Sequence, residues 1–178
     1  MKKLTMEELN RKSVEEFKET NKNEIAVLLD NVRSLHNVGS TFRTSDAFLV
    51  KKIYLCGITG TPPNREINKT ALGATESVDW EYAESAVDLI VKLKQEGWII
   101  ASLEQADNSI SLKDFKPAKN AKYCFVFGNE VFGVDEKIIE SSDIVLEIPQ
   151  YGTKHSLNVS VSVGIVVWDY LSKKSLES

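Results

Sequence analysis

Five apolar runs of six residues punctuate the chain: 25–30 (IAVLLD), 52–57 (KIYLCG), 98–103 (WIIASL), 122–127 (KYCFVF) and 143–148 (DIVLEI). Runs of this length, rich in β-branched and aromatic residues and bounded by polar or glycine-containing stretches, predict strands. A shorter strand is expected at 77–81. The stretches 38–50, 66–73, 84–96, 134–141 and 156–172 carry apolar residues at helical spacing. Strands alternating with helices predict an α/β fold, with a mostly parallel sheet flanked by helices. Ahead of the first strand, residues 5–20 predict a polar helix with a thin stripe of Leu9, Val14 and Phe17. The expected division is an N-terminal helical arm over 1–22 and one domain over 23–178.

The segment HSLNVSVSVGIVVWDYL, residues 155–171, carries two periods at once. Val159, Val161 and Val163 alternate with serines, as on a strand. Leu157, Val161, Ile165, Trp168 and Leu171 recur every three or four residues, as on a helix. The segment is longer than a typical strand, so helix is expected despite the valines. Such a helix is apolar nearly all round and should be buried nearly all round. In a domain this small, that suggests the sheet on one side and a second subunit on the other. Ser156, Ser160 and Gly164 form a small-residue stripe that another backbone can approach.

Composition narrows the class. The 178 residues are 42% hydrophobic and 27% charged, an ordinary globular mixture sized for one domain. No stretch approaches the roughly 20 apolar residues of a membrane span, and no apolar core follows the N-terminal lysines. A cytoplasmic protein is the default expectation. Cys56 and Cys124 each lie in an apolar run, without zinc-site spacing, and are expected to be reduced and buried. The net charge of −4 argues against long non-specific contact with nucleic acid, though not against a local basic patch.

Candidate chemistry gathers in three loops that follow predicted strands, where open α/β sheets bind ligands. In DNVRSLHNVGSTFRTSDAF (30–48), Asn37 sits where a helix N-cap belongs and Gly39 permits close approach. Arg43, amid threonines and serines, suits a phosphate or, alternatively, an ion pair with Asp46. In FGNEVFGVD (127–135), Gly128 and Gly133 bracket Asn129 and Glu130, but no Lys-Ser/Thr pair follows, so a Walker A loop is excluded. Glu130 could anchor the loop, or accept from ribose hydroxyls or an amino group. In IPQYGTKHSLNVS (148–160), Pro149 and Gly152 force a bend before Ser156, Asn158 and Ser160. His155 beside Ser156 lacks the elbow of a hydrolase. The two histidines, without a carboxylate cluster, make a metal site unlike this pattern. No G-x-G-x-x-G follows the first strand, so a dinucleotide site is not supported.

Taken together, the three loops resemble the three motifs of the SpoU-type, or TrmH-like, RNA ribose 2′-O-methyltransferases of the SPOUT superfamily. The match runs over 25–172 and departs slightly at Gln150, where methionine is common. The resemblance implies a SPOUT α/β-knot fold with a deep C-terminal trefoil knot, a homodimer, S-adenosyl-L-methionine as methyl donor and RNA as substrate. It implies that Gly128, Ile148 and Leu157, with Leu103 at another strand end, border the cofactor. It makes Arg43 the catalytic candidate, helped by Asn37, Glu130, Ser156 and Asn158, with no metal. Transfer RNA is favoured over ribosomal RNA, because only the arm precedes the motifs. Two other classes stay open: a non-catalytic SPOUT RNA-binding protein, and a nucleotide-binding α/β enzyme acting on a small substrate.

Overall fold

The computed structural model describes residues 1–5 and 7–175; Met6 within the expected arm, and 176–178 at the end of the expected domain, lie outside the described residues. Among the described residues, seven strands form one sheet: β1 (Asn23–Asp30), β2 (Val50–Cys56), β3 (Trp80–Ala83), β4 (Trp98–Leu103), β5 (Ile110–Ser111), β6 (Lys122–Phe127) and β7 (Ile144–Glu147). Their order is β3-β2-β1-β6-β4-β7-β5, and the pairings are parallel. The expected parallel α/β architecture is therefore present. The two central strands are buried on both faces, which is why they read as continuous apolar runs rather than alternating ones.

The helices are α1 (Val14–Glu19), α2 (Leu35–Ala47), α3 (Arg65–Ala71), α4 (Ala74–Ser77), α5 (Ala86–Gln95), α6 (Glu136–Ser141) and α7 (Val159–Ser175). Ile25, Val27 and Leu29 of β1 face a core shared with α2, α3 and α7. Ala26 and Leu28 face the other core, with α5 and α6. Cys56 and Cys124 lie in this second core as free thiols, and burial pushes both thiols up, Cys56 to about 12. Among the described residues, no helix is long and apolar enough to cross a membrane.

Several expected boundaries shift, each for a local reason. The helix expected over 5–20 covers only Val14–Glu19. Ser13 and Glu16 close a capping box that starts it there, and Asn10 just upstream is left-handed at φ 47°. The strand expected at 77–81 forms at Trp80–Ala83, because α4 occupies Ala74–Ser77. Residues 155–158 are not helical, so Leu157 belongs to the loop rather than to a helix face. Asn158 instead ends the loop, accepting from the Ser160 amide at 2.9 Å as an N-cap does.

The valines of α7 now have a reason. Val159, Val163, Val166, Val167 and Tyr170 are its buried face, and Tyr170 meets Tyr123 and Phe125 edge-on at 5.4 and 5.6 Å. Each such side chain contributes about 1.5–3 kcal/mol on burial, which outweighs the small helix-propensity loss of valine. The sheet covers one side of the helix, and the other side, where a second subunit is expected, is uncovered in the single chain. Leu157, Val161, Ile165 and Trp168 stay exposed, Trp168 by 61%. A Cβ on Gly164 would meet nothing within 4 Å, so no close approach is made there within the chain.

Gly39 does make the close approach expected of it, against α3. A Cβ there would lie 2.2 Å from the Ile67 carbonyl oxygen and 2.2 Å from Thr70 Oγ1. Backbone cannot yield as a side-chain tip can, so Gly39→Ala should lower the urea midpoint, with a loss of about 1–3 kcal/mol. A midpoint equal to wild type would show that α2 and α3 separate freely.

Candidate active site

Parallel pairing puts the carboxyl ends of the strands on one edge. Leu29 pairs with Phe127, Ser102 with Val126, and Leu103 with Leu146. The loops after β1, β6, β4 and β7 therefore leave the sheet side by side, and the three candidate loops converge.

Their joints are specific. Ser34, not Asn37, caps α2: its side chain accepts from the Asn37 amide, which makes Asn37 the third helical residue. That places the Asn37 side chain inward, where it makes two bonds. Its Nδ2 donates to Glu130 Oε1 at 3.1 Å, and its Oδ1 accepts from Asn158 Nδ2 at 3.0 Å. One side chain from the first loop thus touches both other loops.

Glu130 closes the joint. Its carboxylate accepts from the amides of Arg33 at 2.9 Å and Ser34 at 3.0 Å, at the positive end of α2. Of its two expected roles, anchoring the loop is the one the geometry fills. Partial burial alone would push this carboxyl up. The amides of Arg33 and Ser34, then its own amide and the Asn37 side chain, stabilise the charged form and hold it net below the ordinary 4.5.

The second loop is a tight hairpin. Asn129 and Gly133 exchange two backbone bonds of 2.9 Å each. Gly133 has φ +71°, and a Cβ on Gly128 would lie 2.1 Å from the Gly133 carbonyl oxygen, so the fold of this loop needs glycine at both places. Asn129 also donates to the Asn31 carbonyl at 2.7 Å, a second tie between the first two loops.

Beside this joint lies a cavity of about 680 Å³, within the usual size range of small-molecule sites. Leu103, Gly128, Glu130, Ile148, Ser156, Leu157 and Asn158 line it, so seven of the nine expected site residues share one cavity. Asn37 stands behind it, bonded to two of them. Arg43 does not line it. It is exposed on the face of α2 that carries His36 and Ser40, and its side chain makes no hydrogen bond or ion pair among the described residues. Asp46, its alternative partner, is instead bonded to Ser77.

Glu104 and Gln105 are among the cavity residues that the sequence pattern does not single out. Glu104 accepts from the Val134 amide at 2.9 Å, and Gln105 donates to the His155 carbonyl at 2.9 Å. They tie the end of β4 to the second and third loops. The rule that found Leu103, a position at a strand's carboxyl end, pointed one and two residues short of them. Among the described residues, the lining has four glutamates, Glu104, Glu130, Glu136 and Glu147, and no lysine or arginine. Such a lining repels polyphosphate and favours a cation. Among the described residues, no three His, Cys, Asp or Glu side chains gather as a metal site requires.

Known proteins resemble the chain in sequence and in fold. The model of the SpoU rRNA methylase family matches residues 24–168. The tRNA (guanosine(18)-2′-O)-methyltransferase of Aquifex aeolicus is 30% identical over 159 residues, 89% of this chain and 74% of that enzyme. The crystal structure of the A. aeolicus TrmH/SpoU tRNA-modifying enzyme aligns with a TM-score of 0.81 at 27% identity, over 92% of this chain and 82% of that one. The AdoMet-bound rRNA methyltransferase of Sinorhizobium meliloti aligns with a TM-score of 0.79 at 26% identity, over 85% of this chain and 57% of that one.

The Glu130 clamp has a pH signature. A carboxyl whose folded pKa lies below its unfolded value stabilises the fold above the unfolded pKa, and that contribution is lost as pH falls through the folded pKa. Glu130→Gln should therefore be less stable than wild type at pH 7, on the order of 1 kcal/mol after allowing for its exposure. The gap between the two denaturation curves should close as pH drops below 4.5. A pH-independent gap would show that the charge is not what holds α2.

Proposed function

Because the chain belongs to the SpoU rRNA methylase family, we propose that it methylates a ribose 2′-hydroxyl of RNA with S-adenosyl-L-methionine as donor. The observation that carries this reading is the joining of all three motif loops at Asn37, whose side chain bonds both Glu130 and Asn158 at the edge of an acidic cavity. Four glutamates without a lysine or arginine fit a sulfonium better than a phosphorylated nucleotide, which counts against a phosphate-carrying small substrate. Leu103, Ile148 and Leu157 offer apolar walls for an adenine, and main-chain groups of the second and third loops offer its polar edge partners. When bound, the donor supplies an electrophilic methyl on sulfur, so the chain's own residues need only align and deprotonate the hydroxyl.

Arg43 is the catalytic residue in this reading. A guanidinium has no free lone pair to take a proton, so arginine is a poor base. It binds the adjacent RNA phosphate and orients the hydroxyl, whose proton leaves late to that phosphate or to water. Asn37, Ser156 and Asn158 hold the sugar side of the site, and Glu130 is a positioning residue for α2. No metal enters the scheme.

The same reading includes a homodimer. The exposed apolar stripe of Leu157, Val161, Ile165 and Trp168 supports it, as does Phe48 of the α2 terminus packed on Trp168 at 5.9 Å. Because α2 packs beside α7, a pairing over that stripe puts α2 at the seam, where Arg43 can face the other chain's cavity. It also includes the trefoil knot. The interleaved sheet order supports it, with β6 between β1 and β4, and β7 between β4 and β5. We keep 1–22 as an arm, since Phe17 is its only buried residue among those described, and 23–178 as the methyltransferase domain. Transfer RNA is the favoured substrate over ribosomal RNA, supported by the 30% identity to the tRNA (guanosine(18)-2′-O)-methyltransferase of Aquifex aeolicus. Such work belongs in the cytoplasm.

Incubation with labelled S-adenosylmethionine and bulk tRNA or rRNA should label RNA on ribose, and nucleoside mapping should place the label on a 2′-oxygen. Label on a base, or none, would overturn the reading. Arg43→Ala should bind the donor as wild type does in calorimetry while turnover falls by about 10²–10⁴-fold; undiminished turnover would remove Arg43 from the scheme. Ile165→Asp with Trp168→Asp should sediment as a monomer, and an unchanged sedimentation coefficient would place any dimer contact elsewhere.

A further inference from the structure

Phe132 is 85% exposed, and its neighbour Val131 is 68% exposed. An exposed phenylalanine on a mobile loop would need no explanation. This one is held in place. Asn129 Oδ1 accepts from the amides of Val131 at 2.8 Å and Phe132 at 3.1 Å. The hairpin below is closed by the Asn129–Gly133 bonds and fastened to the first loop through Asn31 and to β4 through Glu104. The ring is thus presented to solvent by a fixed backbone, at a standing cost in apolar exposure.

Its position suggests its use. Phe132 lines the 680 Å³ cavity, and it also lines a second cavity of about 630 Å³ that shares the hairpin residues Asn129 and Gly133 with the first. The second cavity is further lined by Ile58, Arg33, Asp30, Asp135 and Glu136. Three carboxylates against one arginine make it a poor seat for a phosphate. Carboxylates that accept N–H donors, beside an aromatic face, make it a good seat for a neutral nucleobase.

We propose that Phe132 is a stacking platform for a base of the RNA substrate, seated in the second cavity while the ribose reaches the first. Base–aromatic stacking needs only a π face, so Phe132 sets how firmly and in what orientation the nucleotide is held rather than how the methyl moves. This inference rests on the RNA methyltransferase reading above.

The test measures RNA binding and methyl transfer for wild type and for Phe132→Ala, Phe132→Leu and Phe132→Tyr, with bulk tRNA and rRNA as probes. Donor affinity is followed by calorimetry and association state by sedimentation. Phe132→Ala should raise the RNA KM and Kd by about 5- to 100-fold. Phe132→Leu, which keeps apolar bulk but lacks the π face, should behave nearly as poorly, and Phe132→Tyr should be close to wild type. Because Phe132 also lines the donor cavity, donor affinity should fall less than RNA affinity, and sedimentation should not change. An unaltered RNA affinity in Phe132→Ala, or full rescue by leucine, would overturn the proposal. So would a loss of donor affinity as large as that of RNA affinity, or a change in association state, which would assign the ring to the donor or to a protein contact. A wild-type protein that transfers no label to RNA overturns the enzymatic reading separately, and the binding comparison still decides the stacking role.

Discussion

One carboxylate, Glu130, sits at the positive end of α2 and takes three donors there: two main-chain amides and the Asn37 side chain. Without it, the amides of Arg33 and Ser34, just ahead of the first turn of α2, would lose their protein partner. With it, the second loop is fixed to the first. Asn158 then extends the chain of bonds, donating to Asn37 while its own oxygen caps α7 through Ser160. The starts of the two helices that pack on the same face of the sheet are tied to each other through side chains rather than through backbone. A site made of three loops acquires the stiffness of the sheet beneath it.

That arrangement separates charge by location. The cavity side is acidic, with glutamates from four different segments. The outer face of α2 carries Arg43 and His36, and Arg33 lies just ahead of the helix. A chain of net charge −4 can therefore present opposite fields to a cationic methyl donor and an anionic RNA a short distance apart. The same logic makes α7 two-faced. Its valine face is consumed by the sheet, while its second apolar stripe is uncovered in the single chain.

The strands were legible in the sequence because fully buried parallel strands must be apolar throughout; β4 and β6 were read to the residue. The converging loops were legible for the same reason: in a parallel sheet, every loop after a strand leaves from one edge. Helix starts were less legible. Asn37 and Ser34 are both good capping residues three positions apart, and the choice falls to Ser34 because Asn37 is drawn inward by Glu130 and Asn158, 93 and 121 residues away. The two-residue strand β5 was invisible, since it exists only because Glu147 and Leu146 of β7 pair with it.

Local pattern alone determined that this is a parallel α/β chain with its chemistry at three strand ends, because periodicity and strand burial are written in neighbouring residues. Only the tertiary structure decided that Glu130 anchors a helix, that Arg43 faces outward, and that half of the apolar perimeter of α7 is left uncovered. Those outcomes depend on which distant segments meet, and a hydrogen bond across a hundred residues leaves no period in the sequence.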